Sequence, residues 1–173
     1  MIYPIVKYGN PVLETPAATV SESEFNTPEL DQLIADMFES MYAARGVGLA
    51  APQIGISKRI SVIDTSAGED PSKRLVLINP EIIATEGTAT EEEGCLSLPG
   101  FREPVKRAQR VTIRAQNQKG EVFEMTGDGL LARAFQHETD HLNGRVYITR
   151  ISALKRDLIR RKIRKLIKEG EWS

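Results

Sequence analysis

Residues 137–141 read His-Glu-Thr-Asp-His. Residues four apart on a helix share one face, so the two imidazoles can grip a single metal ion. Glu138 follows the first of them by one residue, about 100° round the helix. From there it can act on an activated water without itself being a ligand. These are the chain's two histidines. Chance would set two histidines four apart, with a Glu beside the first, roughly once in a thousand such chains. Two ligands under-hold a divalent ion, and a catalytic site asks for three plus an open position. No His lies downstream, and the downstream acids Asp157, Glu169 and Glu171 fall in a tail that reads as a surface helix. Cys95, the single cysteine, is the one soft donor. A lone Cys is most often a small buried hydrophobe; here the need for a third ligand reverses that reading. Gly94 before it allows an unusual backbone, and Pro99-Gly100 after it turns the chain away.

A third segment, Gly46-Val47-Gly48-Leu49-Ala50-Ala51-Pro52-Gln53-Ile54-Gly55, is dense in small residues. Small side chains let a ligand lie against backbone. Gln53 is the polar side chain of the run, and its amide N–H groups can hold a developing oxyanion. Gly-x-Gly alone is weak, and without Gly-Lys-Ser/Thr it is no phosphate loop.

These residues need elements to carry them. The Pro-rich residues 1–20 read as extended chain and turns. A first helix opens with Thr27 as N-cap and Pro28 in the first position, shows Leu30, Leu33, Ile34, Met37 and Met41 at helical spacing, and stops at Gly46. Residues 59–64 and 74–79 are β-branched runs and read as strands, the second ended by Pro80. Residues 82–93 have room for further strands around Gly87. Val111–Ala115 and Val122–Met125, joined through 117–120, form a hairpin. A second long helix starts after Asp128, runs to about Asn143, and stops at Gly144. Leu154, Leu158, Ile159, Ile163, Leu166 and Ile167 predict an amphipathic third helix over 153–168. The order predicts an α+β fold: a mostly antiparallel sheet packed around a central helix that carries 137–141, with N-terminal and C-terminal helices.

The 173 residues fit one domain spanning 1–173, and 40% hydrophobic with 27% charged side chains excludes a disordered or fibrous chain. The net charge of −1 gives no whole-protein basic field for DNA. It is uneven, however: residues 154–173 hold eight basic and three acidic side chains, so a +5 tail follows a −6 body. A single thiol suits a reducing compartment. The N-terminus does not read as a secretory signal, and no run is long enough for a membrane-spanning helix. The expected setting is cytoplasmic.

Gly46-Val47-Gly48-Leu49-Ala50-Ala51-Pro52-Gln53, Glu93-Gly94-Cys95-Leu96-Ser97 and Gln136-His137-Glu138-Thr139-Asp140-His141-Leu142 together resemble the peptide deformylase family, in order and in spacing. Leu98-Pro99-Gly100 is similar to the bacterial type with a C-terminal helix. The resemblance implies removal of the formyl group from N-formylmethionine on new polypeptides, with release of formate. It implies Cys95, His137 and His141 as metal ligands, Glu138 as general base, and Gln53 with the Leu96 backbone N–H at the oxyanion. Ferrous iron is the native metal it implies, with Zn2+, Ni2+ or Co2+ able to take its place; the ligand types alone leave iron and zinc open. Backbone at Gly46 and Gly48 would pair with substrate, Val47 and Ala134 would line the methionine pocket, and Arg102 would contact substrate backbone. The basic tail would dock on the ribosome. Two other readings are a peptidase that cuts internal bonds, disfavoured by the missing downstream ligand, and a non-catalytic binding module, disfavoured by an intact Glu138 and Cys95.

Overall fold

A computed structural model describes residues 1–172. The first helix, α1 (Pro28–Ala43), starts as its sequence dictates: the Thr27 hydroxyl accepts from the Leu30 N–H at 3.2 Å. Its end differs from expectation. Arg45, not Gly46, takes the left-handed conformation (φ 59°), and the Gly46 N–H closes the turn on the Met41 carbonyl at 2.9 Å. A Cβ at Gly46 would sit 2.8 Å from Leu96 Cδ1 and would push that side chain aside.

Among the described residues, seven strands follow one another as β1 (Gly48–Ala50), β2 (Ile60–Ile63), β3 (Leu75–Glu86), β4 (Ala89–Gly94), β5 (Arg102–Arg107), β6 (Arg110–Gln116) and β7 (Val122–Asp128). They make an antiparallel five-stranded sheet, β1-β2-β3-β6-β7, and a separate antiparallel pair, β4-β5. The expected hairpin is β6-β7. Pro80 does not end its strand. β3 runs on to Glu86, because its register with β6 shifts between Ile78 and Glu81, where Asn79 has φ 51°. A bulge of this kind spares Pro80 a ladder bond that it could not donate.

The helix α2 (Gly129–Leu142) packs across β1, β2, β3, β6 and β7. Asp128 precedes it but does not cap it; its carboxylate pairs with Arg110 at 3.2 Å. Strand alternation shares the sheet between two helices. Ile60, Val62 and Ile78 face α1 with Ile34, Met37 and Met41, whereas Ile63, Leu77 and Ile113 face α2 with Ala132 and Phe135. β2 is therefore buried on both faces.

The third helix, α3 (Ala153–Lys168), has the predicted bounds. Ile159 and Ile163 pack into a further cluster with Tyr8, Leu98, Val105 and Tyr147. The predicted apolar stripe is only partly covered. Leu154 and Leu158, on the side of the helix away from Ile163, are 72% and 47% exposed, and Ile167 in its last turn is 51% exposed. Ile163→Ala should therefore cost about 2–4 kcal/mol of stability. Leu158→Ala should stay within about 0.5 kcal/mol. Chemical denaturation midpoints of the two variants check the contrast.

Candidate metal centre and cleft

Helix α2 presents His137 and His141 one turn apart, with Nε2 atoms 3.1 Å from each other. Cys95 follows the end of β4 and puts its Sγ 3.3 Å from His141 Nε2. All three donor atoms lie within 4.8 Å of one another. A tetrahedral ion with ordinary bond lengths would space them at roughly 3.3 Å (N to N) and 3.5 Å (S to N). A thiolate with two imidazoles suits zinc or ferrous iron. Burial opposes a proton on His137, yet Glu138, Cys95 and Glu93 outweigh it and hold this imidazole well above its usual pKa. His141 is pushed well below its usual pKa by burial and by His137.

The orientation of His137 comes from residues that the sequence reading did not single out. Its Nδ1 lies 2.7 Å from Glu93 Oε2. Arg107, 3% exposed, donates to both Glu93 oxygens at 2.8 and 2.7 Å and to Asp140 Oδ2 at 3.0 Å. Asp140 also accepts from Arg150 at 2.6 and 2.7 Å, and Arg133 reaches Glu93 at 3.3 Å. Burial works against the Glu93 carboxylate, but Arg107 and His137 keep it far below the usual range. The available signal was strand alternation: Arg107 stands two residues from the buried Val105 and so shares its inward face.

Glu138 is buried, and its Oε1 has no hydrogen-bond partner among the described residues. Burial pushes this carboxyl up to about 7, with His137 opposing. Its other oxygen lies where a Cβ on Gly48 would be, 2.5 Å from that position, so glycine at 48 makes room for the carboxylate. Gln53 is 1% exposed and sits in a 3-10 turn, Ala51–Ile54. Its carbonyl oxygen accepts from the Ala50 N–H at 3.0 Å, which aims its amide group at Ser97 Oγ (3.2 Å) and Cys95 Sγ (3.6 Å).

One cleft of about 540 Å³ unites the candidate residues. Gly46, Val47, Gly48, Gln53, Cys95, Leu96, Arg102, Ala134, His137 and Glu138 all line it. His141 lies behind the lining, 1% exposed. β1 is an outer strand of its sheet, paired only with β2, and the residues leading into it form one wall. Such an edge can accept an extended peptide as an added strand. Leu130, Phe101 and Arg45 also line the cleft and were not foreseen.

This scaffold, with Cys95, His137 and His141 placed to bind a metal ion at one cleft, has the form of a small α+β metalloenzyme. The polypeptide deformylase family model matches residues 2–157, and the chain belongs to that family. It is 64% identical over 172 residues to a peptide deformylase of Acidobacterium capsulatum, across 99% of both chains. The crystal structure of a peptide deformylase from Legionella pneumophila matches it with TM-score 0.89 at 43% identity, covering 100% of this chain and 99% of that one. A Met-Ala-Ser-bound class I type b peptide deformylase from Acinetobacter baumannii matches with TM-score 0.82 at 38% identity, covering 87% and 99%.

Glu93→Gln removes the charge that orients His137 and should weaken metal binding about 10- to 100-fold, and it should also lower stability by about 3–5 kcal/mol by leaving Arg107 short of a partner. Chelator competition with the loaded protein, alongside circular dichroism, measures both.

Proposed function

We propose that this chain hydrolyses the formyl amide of N-formylmethionyl peptides at the start of new polypeptides, using one divalent ion held by Cys95, His137 and His141. The observation that carries the reading is the convergence of those three donors beside the buried, unpartnered Glu138 oxygen in a cleft walled by an outer strand. Removal of the formyl group is the activity of the peptide deformylase family to which the chain belongs.

When bound, the ion supplies Lewis acidity, making hydroxide available near neutral pH and polarising the formyl carbonyl. Glu138 takes a proton from the attacking water and delivers it to the departing methionine amine. Water is thereby divided between formate and the new N-terminus. Gln53 turns an amide N–H from Cys95 towards the oxyanion, and the Leu96 N–H is a second donor. Gly46 and Gly48 bind peptide backbone. Val47 and Ala134, joined by Leu130, receive the methionine side chain. Arg102, exposed beside the cleft, steadies the peptide further along. Ferrous iron is the ion we infer for the cell, with zinc, nickel or cobalt as replacements; anaerobic purification with metal content and formate release measured together tests this.

No described helix is long and apolar enough to cross a membrane. A cytoplasmic site of action follows from a substrate that is newly made polypeptide. Ribosome docking by α3 is supported by its exposed face, where Leu154, Leu158, Arg161 and Lys165 lie in line. Phosphate contacts there would release counterions and make binding salt-sensitive. Deleting the helix would also remove Ile159 and Ile163 from the body, so Arg161→Glu with Lys165→Glu is the cleaner variant. It should abolish salt-sensitive co-sedimentation with ribosomes; unchanged sedimentation overturns docking.

For the chemistry, Glu138→Gln should retain the metal and lose about 10²–10⁴ in kcat. Gln53→Ala should retain it and lose about 10²–10³. Gly48→Ala should fall with Glu138→Gln, since the new methyl displaces the carboxylate. Formate release from a formyl-methionyl peptide, with metal analysis of each variant, checks all three; a metal-free Glu138→Gln protein contradicts the assigned role.

A further inference from the structure

Arg45 is a cleft residue that the mechanism does not use. Its backbone is fixed as the left-handed residue that ends α1, its N–H bonded to the Tyr42 carbonyl at 3.0 Å. Its side chain is exposed on the cleft lining and has no hydrogen-bond, ion-pair or ring partner among the described residues. The other charges lining the cleft are balanced nearby. Arg102 faces Glu92 at 3.9 Å, Arg133 is engaged by Glu93 and by the Ala89 and Val105 carbonyls, and Glu93 is held by Arg107. Glu138 lies at the cleft floor beside the proposed metal ligands. Among the described residues Arg45 is thus the exposed cation of the lining without a partner.

Its place in the chain says what it meets. The reacting end of a peptide must lie by Glu138, and Glu138 abuts Gly48. A peptide that adds to the segment leading into β1 and leaves the reacting end runs past Gly48, Val47 and Gly46 towards Arg45. Side chains on an extended strand alternate, and each residue advances about 3.3 Å. The third residue therefore shares the side of the first and comes level with Arg45. An unpaired guanidinium presents a fork matched to a carboxylate.

We propose that Arg45 is a specificity-determining residue that favours nascent chains with an acidic side chain at the third position, counting formylmethionine as the first. This rests on the deformylation reading. Arg45 acts on binding and not on the reacting bond, so its effect falls on KM with kcat little changed.

The test uses the full-length, metal-loaded protein and formyl-Met-Ala-Xaa peptides amidated at the C-terminus, with Xaa as Asp, Asn or Lys. Amidation removes the terminal carboxylate that would otherwise mimic the signal. Formate release at low salt should rank Asp over Asn over Lys, with about fivefold in kcat/KM between Asp and Lys, as an exposed charge pair allows. High salt should bring the ratio towards one. Arg45→Glu should invert the order and Arg45→Lys should preserve it. Equal kcat/KM for the Asp and Lys peptides at low salt, or an order unchanged in Arg45→Glu, overturns the proposal. Formate from none of the three peptides overturns the deformylation reading itself, and this inference with it.

Discussion

Arg107 is the constraint on which the site depends. Its guanidinium lies almost wholly out of water and joins Glu93 at the end of β4 to Asp140 on α2. Removing one partner from such a buried set leaves a charge stranded, at about 3–5 kcal/mol. The network therefore locks α2 against the β4-β5 pair in one relative position. That position brings Cys95, which follows β4, within reach of the histidines on α2. The same Glu93 carboxylate that Arg107 grips also accepts from His137 Nδ1 and leaves Nε2 turned to the ligand cluster. Orientation of the imidazole and docking of the two sheets are one event.

A second dependence is steric. The Glu138 carboxylate occupies the space that a side chain at position 48 would need. Gly48 is also the first residue of the outer strand. One missing Cβ thus lets the buried Glu138 carboxylate lie against the backbone of the outer strand. Burial then raises the Glu138 carboxyl to about 7, with His137 opposing.

The legible parts of the fold were those governed by local chemistry. Thr27 and Pro28 open α1 as written, α3 keeps its predicted bounds, and the 111–125 hairpin forms. Local rules failed where tertiary contacts outweighed them. Pro80 sits inside a strand because a bulge removes the bond that it lacks. Asp128 turns from the helix it precedes towards Arg110 on the neighbouring strand. The apolar positions of α3 exceed what one packing face can cover, so Leu154 and Leu158 stay in solvent.

The site divides in the same way. Residue type and spacing alone pointed to two histidines able to share a metal ion, an acid beside them and the need for a soft third donor, because 137–141 share one helix turn and the chain has one thiol. The tertiary structure alone decided that Cys95 meets His141, that Glu93 steers His137, that Arg107 binds the two together, and that Arg45 stands unpaired on the cleft lining. The physical reason is separation along the chain. Spacing within a helix is set by backbone geometry, whereas Glu93, Arg107 and Asp140 become neighbours only when burial folds two sheets and a helix together. A buried charge is stable only where its partner already waits.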